Sequence, residues 1–304
     1  MSLKKSSSII AAGLALFSMF FGAGDLIWPL ILGGNAGDKN LFAMLGLLIT
    51  GVSLPLLGLI AMMMFGGDYR NFFGQVGRVP GLILVFIIQA ILGPLGSIPR
   101  LITLSFATLK PYIPQGISLF SFSILASLLV LGFTLRQNKV INLLGLVLTP
   151  ILLLCLGCIL VLGFMNPPAA HEVAWSQGEA FTQGLHVGYN TLDLIAAFIF
   201  APLVLSHFMT DKEAMNTPAG RQEIFSKMLK ASLLAAGLLS AMYVGLTYVA
   251  SFYTHILPVN HLPEERLSSI AMHLLGPQGA FFACLSVAMA CLTTAIPIVS
   301  ICAE

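Results

Sequence analysis

The sequence predicts an all-α polytopic membrane protein, and three observations carry that prediction. Of 304 residues, 58% are hydrophobic and 9% are charged, a balance that a water-soluble chain of this length cannot hold without exposing a large apolar surface. The apolar residues gather into separate runs that reach the roughly 20 residues needed to cross a hydrocarbon core of about 30 Å. Short segments holding most of the charge join these runs, as expected of helices threaded back and forth through lipid. Residues 1–304 therefore form one transmembrane domain, with lipid as the surrounding partner. The formal net charge of +2 gathers into no polybasic arm, which excludes nucleic acid as a partner.

In order, the runs cover approximately 9–34, 41–65, 79–108, 117–135, 141–164, 185–208, 227–252 and 279–302, eight spans in all. The first follows Lys4 and Lys5 and continues past Trp28 with no small-residue cleavage site, so it reads as a retained helix rather than a signal peptide. If the spans alternate, Lys4, Lys5, Arg70, Arg78, Arg136, Lys139, Lys212, Arg221, Lys227 and Lys230 share one side of the membrane. The positive-inside rule makes that side cytoplasmic, which places the N-terminus inside a bacterial inner membrane. Lys39, Lys110 and Arg266 fall opposite, and Arg100 sits within the third run. The longest segments between spans, 165–184 and 253–278, carry His171, Glu172, Glu179, His255, His261, Glu264, Glu265 and His273 without metal-ligand spacing on one face; they read as solvated loops with short interfacial helices. Cys155, Cys158, Cys284, Cys291 and Cys302 all lie in apolar runs, where a thiolate is too costly for a redox or metal role. No phosphate loop, HExxH or GxSxG motif is present, so the chain does not read as an enzyme. The last run ends almost at the last residue, an abruptness expected of a shortened chain or a fragment.

Two of the spans should break. Asp25 lies in the first run and Asp193 in the sixth, and a carboxylate at membrane depth is expensive unless it faces a cavity or binds a cation. Asp25 follows Phe20, Phe21, Gly22, Ala23 and Gly24, with Pro29, Gly33 and Gly34 beyond; Asp193 follows Gly184, Gly188, Tyr189, Asn190 and Thr191, with Pro202 beyond. Glycine costs about 1 kcal/mol per helical position, so glycines beside an intramembrane acid mark backbone that can leave the helix. Its freed N–H and C=O groups then line a cavity suited to a small polar solute and a cation. The competing reading is that these glycines are close-packing contacts between helices. The acids stand five spans apart, as corresponding elements of two five-helix repeats would. A third feature is the adjacent pair Thr293 and Thr294, with Ala290 one turn earlier. Threonine in a membrane helix commonly bonds back to its own helix, but two hydroxyls and a carbonyl near one point also make hard oxygen ligands for Na⁺.

FSMFFGAGDLIWPLILG at 17–33, GPLGSIPR at 93–100, GYNTLDLIAAFIF at 188–200 and CLTTAIPIVSICAE at 291–304 resemble, in order and along almost the whole chain, the branched-chain amino acid:cation symporter family. The resemblance implies a leucine-transporter-type fold of two inverted five-helix repeats. Residues 1–164 would form the first repeat, and 165–304 a partial second one holding helices 6 to 8. It implies uptake of leucine, isoleucine or valine driven by a cation, usually Na⁺, with no cofactor. Gly22, Ala23 and Gly24 would present N–H groups to the substrate carboxylate, and unwound backbone at Gly188, Tyr189 and Asn190 would present carbonyls to its ammonium. By analogy with sodium sites of that fold, the carbonyls of Ser18 and Phe21 with Ala290, Thr293 and Thr294 would hold one Na⁺. A second cation would sit by Asp25, with Asp193 the matching acid in the sixth run.

The chain departs from the family at three places. Asp25 stands where Asn is usual, which points either to tighter cation binding or to coupling by H⁺. Trp28 replaces Phe, and Pro297 replaces Gly. Beside the importer reading stand an H⁺-driven carrier of another small neutral amino acid and a shortened protein that binds without transporting.

Overall fold

The computed structural model describes residues 2–114, 116–134, 144–165, 167–168, 171–208, 218–256 and 265–302. Arg136, Lys139, Lys212, His261, Glu264, Ala303 and Glu304 lie outside the described residues. Among those described, every regular element is a helix. Six stretches are long and apolar enough to cross a membrane, namely Ala23–Met64, Arg78–Tyr112, Leu144–Met165, Gln177–Phe208, Ala219–Ile256 and Arg266–Cys302, and Ile9–Phe20 and Leu119–Thr134 are shorter apolar helices. The protein is therefore a multi-pass membrane protein. The first stretch has 42 residues; at about 1.5 Å per residue it is roughly twice the depth of a hydrocarbon core, and a 3₁₀ turn at Gly37–Lys39 divides it.

In chain order the helices are α1 (Ser2–Phe20), α2 (Ala23–Ala36), α3 (Asn40–Leu48), α4 (Leu54–Met64), α5 (Tyr69–Phe73), α6 (Arg78–Leu92), α7 (Ser97–Leu109), α8 (Leu119–Thr134), α9 (Thr149–Met165), α10 (Gln177–Asn190), α11 (Asp193–Phe208), α12 (Pro218–Tyr253) and α13 (Arg266–Cys302). Single π-helical turns at Ile49–Ser53 and Leu144–Leu148 join α3 to α4 and lead into α9. The third apolar run, read as one span, is divided by turns at 93–96. The sixth span also starts earlier than the apolar run, because Ser176 and Glu179 form a capping box that begins α10 at Gln177. Residues 177–184 are thus helix rather than loop. Similarly, helix resumes at Arg266 within the segment expected to be loop, and Gly276 at φ 70° kinks α13.

Packing brings distant parts of the sequence together. Both α1 and α2 lie along α12, while α10 lies on α3 and α11 on α4; α13 packs on α7 and α9. Some contacts are backbone to backbone. A Cβ on Gly184 would come within 2.0 Å of the Ala43 carbonyl oxygen, and one on Gly46 within 2.2 Å of that of Phe181. Small residues thus let α3 and α10 approach as membrane helices do. The buried core runs through α1, α2 and α12, including Phe17, Leu26, Leu30, Tyr243 and Leu246. Leu82 and Phe86 of α6, Phe120 and Leu125 of α8, and Leu154 and Val161 of α9 are instead exposed, which gives those helices the apolar outer faces that lipid accepts. On one end, the turn after α2 is tied to the segment before α10: Asp38 N–H donates to the His171 carbonyl (2.9 Å) and Val173 N–H to the Asp38 carboxylate (3.2 Å).

Candidate functional site

The first break falls where the glycines predict it. α1 ends at Phe20, and Gly22 leaves the helix in an extended conformation (φ −110°, ψ −157°) before α2 begins at Ala23. The Gly22 N–H donates to Asp25 Oδ2 at 2.8 Å, so Asp25 closes the amino end of α2, where a carboxylate also meets the positive end of the helix dipole. A Cβ on Gly22 would stand 2.9 Å from Thr294 Oγ1. Glycine is needed here for close approach to α13.

The second break lies two residues beyond the expected one. Gly188, Tyr189 and Asn190 are the last residues of α10, and the chain unwinds at Thr191 and Leu192 before Asp193 opens α11. Gly184 and Gly188 serve packing: a Cβ on Gly188 would be 2.0 Å from Thr50 Oγ1. The residue at positive φ is Leu192 (68°), a conformation that costs an L-residue about 1–2 kcal/mol. Local hydrogen bonds hold it. The Thr191 hydroxyl donates to the Gly188 carbonyl (2.8 Å) and the Leu192 N–H to that of Tyr189 (3.2 Å). The Gly188 and Tyr189 carbonyls expected to face an ammonium are therefore engaged, and the Tyr189 and Asn190 residues themselves are exposed.

The two acids meet through a residue the sequence analysis overlooked. Tyr243 of α12 is fully buried, as are Asp25 and Asp193 to within 2%. Its hydroxyl is in short contact with Asp25 Oδ1 and lies 2.8 Å from Asp193 Oδ2. The phenol owns one proton and two carboxyl groups compete for it. Two hydrogen bonds among three oxygens need a second proton or a bound cation, because two carboxylates this close in a dry site repel one another. The available signal was a tyrosine deep in an apolar run, away from the interfaces where membrane tyrosines concentrate.

Of the residues expected to hold Na⁺, Ser18 and Thr294 meet across α1 and α13. The Thr294 hydroxyl donates to the Ser18 carbonyl (3.3 Å), and that of Thr293 to the Ala290 carbonyl (3.0 Å). Ser18, Phe21, Ala290, Thr293 and Thr294 are all buried. The Thr293 bond is the back-bonding expected of an ordinary helical threonine; the Thr294 bond, between helices 276 residues apart in sequence, is not. This set consists of neutral hard oxygens, the donor chemistry Na⁺ accepts.

Between the breaks lies a cavity of about 40 Å³, lined by Gly22, Ala23, Gly24 and Asp25 from the first, Thr191, Leu192 and Asp193 from the second, and Arg100 and Thr294 from α7 and α13. That volume holds a few waters, so an amino acid enters only when the two breaks move apart. Met19, Phe20, Leu101, Ala196, Phe200 and Ile298 supply an apolar wall. Backbone, acids and apolar residues thus line a single space.

Over residues 5–304 the chain matches the family described as branched-chain amino acid transport protein. It belongs to that family. The membership agrees with the resemblance in the sequence blocks, and marks a transport protein rather than an enzyme. The branched-chain amino acid permease BrnQ of Bacillus subtilis (strain 168) is 33% identical over 313 residues, covering 100% of this chain and 70% of the relative. The permease of the same name from Lactobacillus delbrueckii subsp. lactis is 31% identical, covering 95% and 66%. The branched-chain amino acid transport system 3 carrier protein of Pseudomonas aeruginosa is 30% identical, covering 100% and 69%. The chain spans about two-thirds of the length of these curated relatives.

Proposed function

We propose that the protein is a secondary active transporter that imports leucine, isoleucine or valine across the plasma membrane with a cation, its N-terminus in the cytoplasm. The observation that carries this reading is the shared cavity: two interrupted helices from different halves of the chain line one space together with both charged and apolar side chains. Discontinuous helices around a midplane site are how many transporters bind substrate and ion together.

The helix pairing supports a leucine-transporter-type inverted repeat with eight crossings here. Pairing α1 with α2, α3 with α4, α6 with α7 and α10 with α11 as single interrupted crossings, and adding α8, α9, α12 and α13, gives that count. Crossing 1 then packs on crossing 7 and crossing 6 on crossing 2. Exchanging the repeats converts one pair into the other.

For the coupling ion, the neutral oxygens of Ser18, Phe21, Ala290, Thr293 and Thr294 favour Na⁺. The proton count at Asp25, Tyr243 and Asp193 favours the second reading, in which H⁺ drives the cycle and the substrate is a small neutral amino acid. Radiolabelled leucine uptake into proteoliposomes, with an inward Na⁺ gradient, an inward H⁺ gradient or neither, separates these. Accumulation is expected under at least one gradient. Leucine binding without uptake under either, in folded and inserted protein, would overturn transport and leave a binding protein.

A further inference from the structure

We propose that the guanidinium of Arg100 holds the carboxylate of the amino-acid substrate in the cavity between the two helix breaks; this rests on the reading of the protein as an amino-acid transporter. Arg100 belongs to the first turn of α7, an element that contributes no acid and neither break, yet it lines the same cavity as Asp25 and Asp193. A cation within an apolar span is expensive and marks a substrate or ion path by default. It makes a cation–π contact, with the guanidinium carbon 5.8 Å from the centre of the Trp28 ring of α2. A contact of this kind leaves the edge donors of the fork unused.

Among the described residues, no carboxylate of the protein pairs with those donors. Among the described residues, Arg100 makes no ion pair with Asp25 or Asp193, although all three line one cavity. The acids are turned instead toward Tyr243, and Asp25 also toward the Gly22 N–H. That last bond matters twice, because it removes one of the three N–H groups expected to meet a substrate carboxylate. Arginine supplies the replacement: five N–H donors in a rigid fork that matches a carboxylate bidentately.

The lining of the cavity then matches its ligand in kind. Arg100, Asp25 and Asp193 line it together with Phe20, Leu101, Phe200 and Ile298. A zwitterionic α-amino acid with a branched apolar side chain presents carboxylate, ammonium and hydrocarbon to groups of these types. The competing role for Arg100 is structural, as a charge parked on Trp28.

Competition binding with leucine and leucinol, which keeps the ammonium and side chain but replaces the carboxylate with a hydroxymethyl group, distinguishes the two roles. In the purified full chain, leucine should bind more tightly than leucinol. Arg100→Gln should weaken leucine binding about 10- to 100-fold and leave leucinol within about threefold of its original affinity, so that discrimination collapses. Arg100→Lys, which keeps the charge and loses the fork, should give an intermediate loss for leucine alone, and decides the matter if the glutamine variant does not fold. Equal losses for both ligands, or discrimination left intact, would overturn the assignment. If the unaltered chain binds no leucine, the transporter reading itself fails, and the assignment with it.

Discussion

The break between α1 and α2 contains a glycine in backbone geometry that any residue could adopt, whereas the break between α10 and α11 contains a leucine in geometry that favours glycine. Gly22 is extended, and its lack of a side chain admits Thr294. Leu192 sits at φ 68° with its strain offset by hydrogen bonds from Thr191 and its own N–H. Both acids reach Tyr243, and Asp25 also reaches back to cap its own helix. Two ends that resemble each other in sequence are thus held open by different forces, one by crowding and one by local backbone bonding.

Asp25→Ala should have the largest effect on this asymmetry, because it removes both the cap of α2 and the contact to Tyr243. Gradient-driven leucine uptake is expected to fall at least about 100-fold with membrane insertion unchanged. Normal ion dependence in that variant would take Asp25 out of the site. Gly188→Ala comes next. Its methyl would meet Thr50 Oγ1 at 2.0 Å and the Gly51 amide nitrogen at 2.7 Å, and overpacking of this kind destabilises by about 1–3 kcal/mol. A thermal midpoint no lower than that of the parent would show that this glycine is not a packing contact.

Leu192→Gly isolates the strain at the second break. It relieves about 1–2 kcal/mol of left-handed conformation and gives back about 0.5–1 kcal/mol through the looser unfolded chain, with some lost contact besides. Stability is expected to stay within about 0.5 kcal/mol of the parent, while Gly22→Ala, which crowds Thr294, lowers it. A loss of more than about 2 kcal/mol for Leu192→Gly would mean that leucine contacts, not hydrogen bonds, hold that break.

The smallest effect concerns the end of the molecule where α10 begins. The Ser176 N–H and hydroxyl hold Glu179 below the usual glutamate range, and Lys39 does the same for Asp38. A depressed folded-state value means that these carboxylates stabilise the fold above the ordinary carboxylate range, and that the contribution disappears as pH falls through the folded-state value. A slight drop in thermal midpoint is expected below about pH 4. Glu179→Gln, which still accepts from Ser176 but does not titrate, should reduce that drop; the same acid sensitivity in this variant would assign it elsewhere.

Composition was enough to read a multi-pass helical protein, because lipid leaves the backbone few alternatives. Asp25 and Asp193 were legible as the acids beside the two breaks for the same reason. The position of the second break was not: Gly184 and Gly188 drew it two residues early, since a glycine that admits a neighbouring helix looks in sequence like one that unwinds its own, and a leucine at positive φ carries no signal. Tyr243 was hidden among apolar neighbours, its partners 218 and 50 residues away. The early start of α10 was legible in principle, because Ser176 and Glu179 have capping-box spacing, but polar content made the segment read as loop.

If the two breaks form one amino-acid site, a crystal structure of the protein with leucine bound must place the ligand there. The predicted result is leucine in the cavity between Gly22–Asp25 and Thr191–Asp193, its side chain against Phe20 and Phe200. Leucine bound elsewhere, with that cavity closed or empty at saturating concentration, would contradict it.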